Sequence, residues 1–432
     1  MRELKVIADL HIHSRYSRAT SERMCIEEIG RFAKIKGLNV VGTGDFTHPR
    51  WLEEIEESLT PEADAGLYRV IKNPDLQVYF MLTTEVNTTF TFGNENKKIH
   101  HVILTPSVEH AVQINDRLSK YGSLVSDGRP TLNMNAAHLV EEVMKASSDN
   151  VIFPAHAWTP WFSIFGAFSG FNSVEECYQD MTKHIHALET GLSSDPPMNW
   201  RLSALDKFTL LSNSDSHSFW PWRIGREANV FELDRLTYHE VADAICSKDK
   251  QRFKLTIETE PAYGKYHWTG HRNCRVALSP LEAIKMGSIC PVCRRKLTKG
   301  VEQRVEELAD RPVGYRPENS IDFMCLLPLS EIIAKVLGAD SPSAQKVWGV
   351  YNLLIEAFGN EFRVLIDASK AAMSEVAGEE VAEAIIKVRE RRAKVFPGYD
   401  GVYGELILTE DGLQADALPR RVQQLNLTDF CF

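Results

Sequence analysis

The chain has 432 residues, more than one ordinary hydrophobic core organises, so two or three domains are expected. With 44% hydrophobic and 25% charged residues it has the composition of a folded globular protein, which excludes a disordered or low-complexity chain. A net charge of −10 excludes a uniformly basic DNA-coating protein but leaves room for a local basic patch.

Residues 6–10 form an apolar run that ends at His11. Residues 25–36 carry Ile26, Ile29, Phe32, Ala33 and Ile35 at helical spacing, with Gly37 as the C-cap. Residues 38–42 then read as a strand, and Asp45 follows. The rhythm returns downstream. A strand over 78–82 leads to Glu85, a strand over 101–104 begins at His101, and a helix spans 133–146. A strand over 151–154 is followed by His156, and short strands over 187–189 and 209–212 precede Asp215. Strand–helix alternation with polar residues at strand ends predicts a parallel α/β barrel, with an open α/β sheet as the alternative.

The character changes near residue 258. Residues 261–300 hold eight Lys or Arg against the single acid Glu282, together with Tyr263, Tyr266 and Trp268. Beyond Pro328, helices are predicted over 330–337, 344–358 and 376–388, and Pro397-Gly398 ends them. The predicted division is 1–257, a basic module over 258–326, a helical region over 327–422 and a tail over 423–432.

No apolar run is long and charge-free enough to span a membrane, and the first residues do not read as a signal peptide. The eight cysteines do not form a secreted disulfide framework, so a cytoplasmic location fits.

The candidate chemistry lies at the strand ends. His11 and His13 are two apart, so on a strand both imidazoles face one side. Asp45 and His48 can add ligands from the next loop, and Glu85 can bridge two ions through its two oxygens. His156, Asp215 and His217 close the set. Of the neighbours His100 and His101, His101 is assigned to the site. Such N and O donors suit two or three divalent ions (Zn, Mn, Mg or Fe), which would activate water and neutralise charge on a phosphoester.

In the basic module Cys290-x-x-Cys293 pairs with His271-x-x-Cys274 as a tetrahedral structural zinc site, His267 being a substitute donor. Lys265, Arg272, Arg275, Arg294, Arg295 and Lys296 would meet a phosphate backbone. Directly after His156 runs an aromatic segment holding Trp158, Trp161, Phe162, Phe165 and Phe168. Packing in the core is the ordinary reading of such residues. Their place beside a metal ligand favours contact with DNA bases instead. At the far end Gln424, Leu427 and Phe430 match the Gln-x-x-aliphatic-x-x-aromatic pattern of a sliding-clamp (PCNA) ligand, or form an apolar tail that docks on its own domain.

The His-x-His start and the Ser-Asp-Ser-His end resemble the polymerase-and-histidinol-phosphatase (PHP) superfamily. This resemblance implies an irregular PHP-type barrel of seven βα units and a multinuclear site built from His11, His13, Asp45, His48, Glu85, His101, His156, Asp215 and His217. Joined to the His/Cys module and the Pro397-Gly398-Tyr399-Asp400-Gly401 segment, the pattern resembles the archaeal endonuclease Q family. That resemblance implies a metal-dependent DNA repair endonuclease. Such an enzyme cuts 5′ of uracil, hypoxanthine, xanthine and abasic sites and leaves 3′-hydroxyl and 5′-phosphate ends. Two other readings are a small-molecule phosphoesterase of the histidinol-phosphatase type and a non-enzymatic DNA or clamp adaptor.

Overall fold

A computed structural model describes residues 4–408. The Gln424, Leu427 and Phe430 pattern lies outside them. Among the described residues, no helix is long and apolar enough to cross a membrane.

The first strand, Leu4–Asp9, is buried from Val6 onward and pairs parallel with Val40–Gly42 and antiparallel with Ala228–Leu233. Between the two parallel strands runs the helix Ile26–Lys36, which buries Ile26, Ile29, Phe32 and Ala33. It stops because Gly37 adopts φ 103°, where its N–H reaches the carbonyls of Ala33 and Lys34.

The predicted strands over 78–82 and 101–104 are the ends of one long hairpin, Tyr79–Phe92 against Glu95–Thr105. Gly93 and Asn94 both take positive φ and make the two-residue turn. The hairpin's middle is rich in Thr, Asn and His, which hid it from a search for apolar runs. Val151–Pro154 adds antiparallel to it, and Phe253–Glu258 and Asp322–Cys325 extend the other side. The resulting eleven-stranded sheet is mixed, whereas regular βα alternation predicts parallel strands throughout. Ala187–Glu189 and Thr209–Leu211 form a separate parallel pair.

Within residues 261–300 the hairpin Thr269–His271 and Val276–Leu278 carries a core of its own: Val276, Leu278, Ala283, Cys290 and Leu297. So few apolar side chains hold little free energy, and a metal is the ordinary supplement at this size. The module is tied down by Arg304, which donates to the carbonyls of Phe165 and Phe171 at 3.1 and 3.0 Å. The Tyr399–Gly401 turn clasps it from the other side. Asp400 accepts from the Arg272 N–H at 2.7 Å and from Thr298 Oγ1 at 2.6 Å.

The C-terminal helices are Leu329–Val336, Gln345–Phe358, Lys370–Ala377 and Glu379–Arg389. Gly378, at φ 87°, separates the last two, so the predicted helix over 376–388 begins in one and continues in the next. A buried ion pair fixes this region to the first helix: Lys36 Nζ lies 2.7 Å from Glu361 Oε1. Tyr351 Oη donates to the other oxygen of Glu361 at 2.8 Å.

Candidate metal centre

The strand ends converge. His11 and His13 flank Ile12, which bridges to Ser216, so the two rings share a face as the two-residue spacing predicts. Asp45, His156 and Asp215 each follow a strand and each adopt positive φ, of 50°, 27° and 47°. Left-handed backbone at such residues costs on the order of 1–3 kcal/mol each, and the surrounding structure enforces it. Gly191 shows how: a Cβ there would stand 2.7 Å from the His156 Cβ.

Two donor clusters result. His11, His13, Glu85 and Asp215 offer atoms within 4.8 Å of one another, and so do Glu85, His100 and His156. Glu85 belongs to both. Its Oε2 lies 3.2 Å from His13 Nε2 and 3.7 Å from His11 Nε2. Its Oε1 lies 2.8 Å from His100 Nδ1 and 3.0 Å from His156 Nε2. The bridging role read from its two oxygens is therefore geometrically available.

The far ring nitrogens are anchored. His11 Nδ1 meets both oxygens of Glu189 at 3.0 Å, and His13 Nδ1 meets Asp45 Oδ1 at 2.9 Å. A carboxylate on one nitrogen holds the proton there and turns the other nitrogen's lone pair inward. His11 Nε2 is buried and lacks a hydrogen-bond partner. An orphaned imidazole nitrogen facing two carboxylates is what a cation site requires.

The electrostatics agree. Burial opposes a charge on His11, but Glu189 and Glu85 outweigh it and hold the ring well above the usual imidazole range. His13 is raised likewise, against burial, by Asp45 and Asp215. Glu85 sits well below the usual carboxylate range despite burial, because His100, Arg129 and His11 surround it. Burial pushes His100 down to about 4. Without metal, the raised rings keep protons in the cage, so protons and divalent ions compete for the same atoms.

Several predicted residues stand elsewhere. His101 is corrected to His100. In the hairpin Glu85 pairs with Val102 and Asn87 with His100, which puts His100 on the face of Glu85 and His101 on the other. His101 instead bonds Thr88 Oγ1 at 2.9 Å and Tyr178 Oη at 2.8 Å. His48 is not in either cluster. Phe46 and Thr47 carry it past the site to cap the helix Pro49–Ser58, where its ring stacks on Tyr16 at 4.4 Å. Asp45 also stands outside the clusters, its oxygens occupied by His13, Ser14 and Ser17. His217 lines the rim, with Nε2 3.7 Å from Asp215 and Nδ1 2.7 Å from Thr20 Oγ1.

Sequence reasoning missed Glu189, Arg129 and Asp9. Glu189 ends a predicted strand and obeyed the rule applied to the others. Arg129 Nη1 lies 2.9 Å from Glu85 Oε2 and carried no sequence signal. Asp9 braces the floor by accepting from Ser214 and from the Gly225 N–H.

The aromatic segment divides. Trp158 and Phe165 are 1% and 0% exposed, ring against ring at 4.7 Å, so their assignment to DNA is corrected to core packing. Trp161, Phe162 and Phe168 are 41%, 37% and 51% exposed. Trp161 stacks on Phe168 at 5.0 Å and meets Tyr266 of the basic module edge-on. Phe162 lies 5.0 Å from the His100 ring.

In the module, His271, Cys274, Cys290 and Cys293 gather their donor atoms within 4.8 Å. His267 is not among them, its Nε2 being 3.5 Å from Glu302. Lys265, Arg272, Arg275, Arg294, Arg295 and Lys296 are exposed in the same module, with Lys265 Nζ 4.7 Å from the Tyr403 ring centroid.

Comparison with known proteins gives the site its relatives. Residues 328–392 match the family model described as the MJ0043 C-terminal domain. The MJ0043 protein of Methanocaldococcus jannaschii is 32% identical over 258 residues, 58% of this chain but only 31% of its own length. YqxK of Bacillus subtilis is 26% identical over 423 residues, covering 93% of this chain and 99% of its own. Among solved structures, the lesion-specific endonuclease PfuEndoQ from Pyrococcus furiosus is 35% identical with a TM-score of 0.84, over 98% of this chain and 99% of its own. The chain belongs to the endonuclease Q family. A further endonuclease Q structure holds a 27-mer duplex with an abasic lesion at its active site. It is 35% identical, with a TM-score of 0.83, over 98% of this chain and 100% of its own. The mixed α/β body with a helical C-terminal region is the architecture of endonuclease Q.

Proposed function

We propose that this protein is a metal-dependent DNA repair endonuclease that cuts the phosphodiester 5′ of deaminated bases and abasic sites. The observation that carries the reading is Glu85, whose two oxygens serve two donor clusters. Family members whose names speak of lesion-specific cleavage and of an abasic duplex support the choice of substrate.

His11, His13, Asp215 and one oxygen of Glu85 would hold one divalent ion. His100, His156 and the other oxygen would hold a second. Bound there, ions of the Zn, Mn, Mg or Fe class lower the pKa of water and offset charge on the phosphate. The chain's own work is placement. Glu189 and Asp45 keep protons on the outer nitrogens of His11 and His13, and buried Asp9 fixes the Ser214 end of the Asp215 loop. Hydrolysis leaves the water oxygen on phosphorus, breaks the P–O3′ bond and releases the 3′ oxygen with a proton.

DNA would lie across the exposed aromatic and basic surfaces. Exposed guanidinium and ammonium groups around the His271–Cys274–Cys290–Cys293 cluster would take backbone phosphates, a structural zinc there fixing their spacing. Trp161 and Phe168 offer stacking faces for bases next to a lesion. Work on DNA supports the cytoplasmic location that the cysteine pattern suggests. We keep the Gln424, Leu427 and Phe430 segment as a proposed sliding-clamp ligand, which a binding assay with the tail peptide tests.

The deciding experiment uses end-labelled duplexes carrying one deoxyuridine, deoxyinosine or abasic site, with Mg²⁺, Mn²⁺ or Zn²⁺. A single cut 5′ of the lesion, lost in His13→Ala and Asp215→Ala, is expected. Turnover of small phosphomonoesters alone would refute the reading.

A further inference from the structure

Arg129 answers to nothing yet assigned. Among the described residues, it is the one Lys or Arg within 4.0 Å of a donor carboxylate of either cluster. Its side chain is 25% exposed, whereas the Glu85 side chain it meets is fully buried.

Its placement is built. The segment before it is pinned by Gly128, whose N–H donates to the Tyr16 carbonyl at 2.9 Å and whose carbonyl accepts from Thr47 Oγ1 at 3.3 Å. A Cβ at Gly128 would come within 2.3 Å of Asp45 Oδ2 and 2.4 Å of Ser17 Oγ. The loop is therefore pressed onto the carboxylate that orients His13. On the other side, the Pro130 carbonyl accepts from the Asn87 N–H at 2.9 Å, two residues from Glu85 on its strand. A surface counter-charge needs none of this.

We propose that Arg129 grips a non-bridging oxygen of the scissile phosphate, a role that rests on the endonuclease reading above. Glu85 Oε2 is shared between Arg129 and the His11–His13–Asp215 cluster. A divalent ion held by that oxygen would stand beside a like charge, the guanidinium 2.9 Å from the same oxygen. An anion between the two relieves that repulsion. A phosphodiester has two non-bridging oxygens and can present one to the ion and one to the guanidinium fork. No bond is made or broken by Arg129. It positions the phosphate and meets charge that grows in the transition state.

The test uses the full-length protein as Arg129→Ala and Arg129→Lys, loaded with Mn²⁺ and checked for bound metal per chain. On an abasic duplex, Arg129→Ala should keep its metal and lose roughly 10²-fold in kcat, with a smaller change in KM. Arg129→Lys should recover part of the loss, because it restores the charge but not the fork. Inorganic tungstate, a tetrahedral oxyanion, should bind the Mn²⁺-loaded wild type at least tenfold more tightly than Arg129→Ala by calorimetry. Cleavage by Arg129→Ala within threefold of wild type, or equal tungstate affinity, overturns the proposal. So does loss of metal in step with activity, which would make Arg129 only a brace for Glu85. A wild type that cuts no lesion duplex sinks the endonuclease reading instead, and tungstate binding still decides the role of Arg129.

Discussion

Exchanging the roles of two adjacent histidines gives a sharp test of the hairpin register. His100 Nδ1 lies 2.8 Å from Glu85 Oε1 and 3.2 Å from His156 Nε2, so His100→Ala removes one donor of a three-residue cluster. It should lower bound metal by one ion per chain and lesion cleavage by at least about 10²-fold, with little change in stability. His101→Ala should do the reverse. It strips partners from Tyr178 Oη and Thr88 Oγ1, both on buried residues, and opens a cavity the size of an imidazole. Tyr178 is left unsatisfied at about 1–3 kcal/mol, Thr88 keeps its bond to the Ile99 carbonyl, and lost packing adds to the total. Together about 2–4 kcal/mol is expected. Metal analysis on desalted protein, denaturant unfolding and single-turnover cleavage read the three quantities. If His101→Ala loses metal at unchanged stability while His100→Ala keeps it, the strand faces have been assigned the wrong way round.

The aromatic segment gives a parallel contrast. Trp158→Ala should destabilise by about 3–5 kcal/mol in denaturant unfolding, because a buried indole and its bond to Asn199 Oδ1 are lost. Trp161→Ala should leave stability unchanged and weaken binding of an abasic duplex, measured by anisotropy, by about 1–3 kcal/mol if the ring stacks on a base. Cys290→Ser should release one zinc per chain and weaken duplex binding, while hydrolysis of bis(p-nitrophenyl) phosphate stays within about threefold, since the two sites share no donor. Glu258 is buried, with its carboxyl pushed up to about 8 from 4.5 by desolvation. Between these values the folded chain holds a proton that the unfolded chain releases, so stability falls as pH rises, by up to about 1.4 kcal/mol per pH unit. Glu258→Gln should flatten that slope between pH 5 and 8, and an unchanged slope in urea titrations would place the proton elsewhere.

Much of the site was legible because metal ligation draws on few residue types and strand geometry on few spacings. His-x-His two apart, acids just beyond apolar runs and a Cys-x-x-Cys near His-x-x-Cys are local patterns, and local geometry decides which way their side chains point. The helix over 25–36 and its glycine stop, the basic charge of residues 261–300 and the C-terminal helices follow from composition and periodicity in the same way. The endonuclease Q resemblance rested on these local signals spread along the whole chain.

The remainder depended on pairing between distant segments. Which of His100 and His101 faces inward is set by the register of a hairpin whose polar middle gives no hydrophobic alternation to read. Asp45 braces His13 from beside the clusters because His13, Ser14 and Ser17 reach its oxygens. Trp158 and Phe165 are core while Trp161 and Phe168 are surface because the loop folds back on Asn199 and Tyr266, neighbours that no window of sequence contains. Arg129 enters the site only through a loop seated on Asp45. Sequence by itself determined the chemical alphabet of the centre. Tertiary structure decided which letters touch, because side-chain direction is a local property and convergence is not.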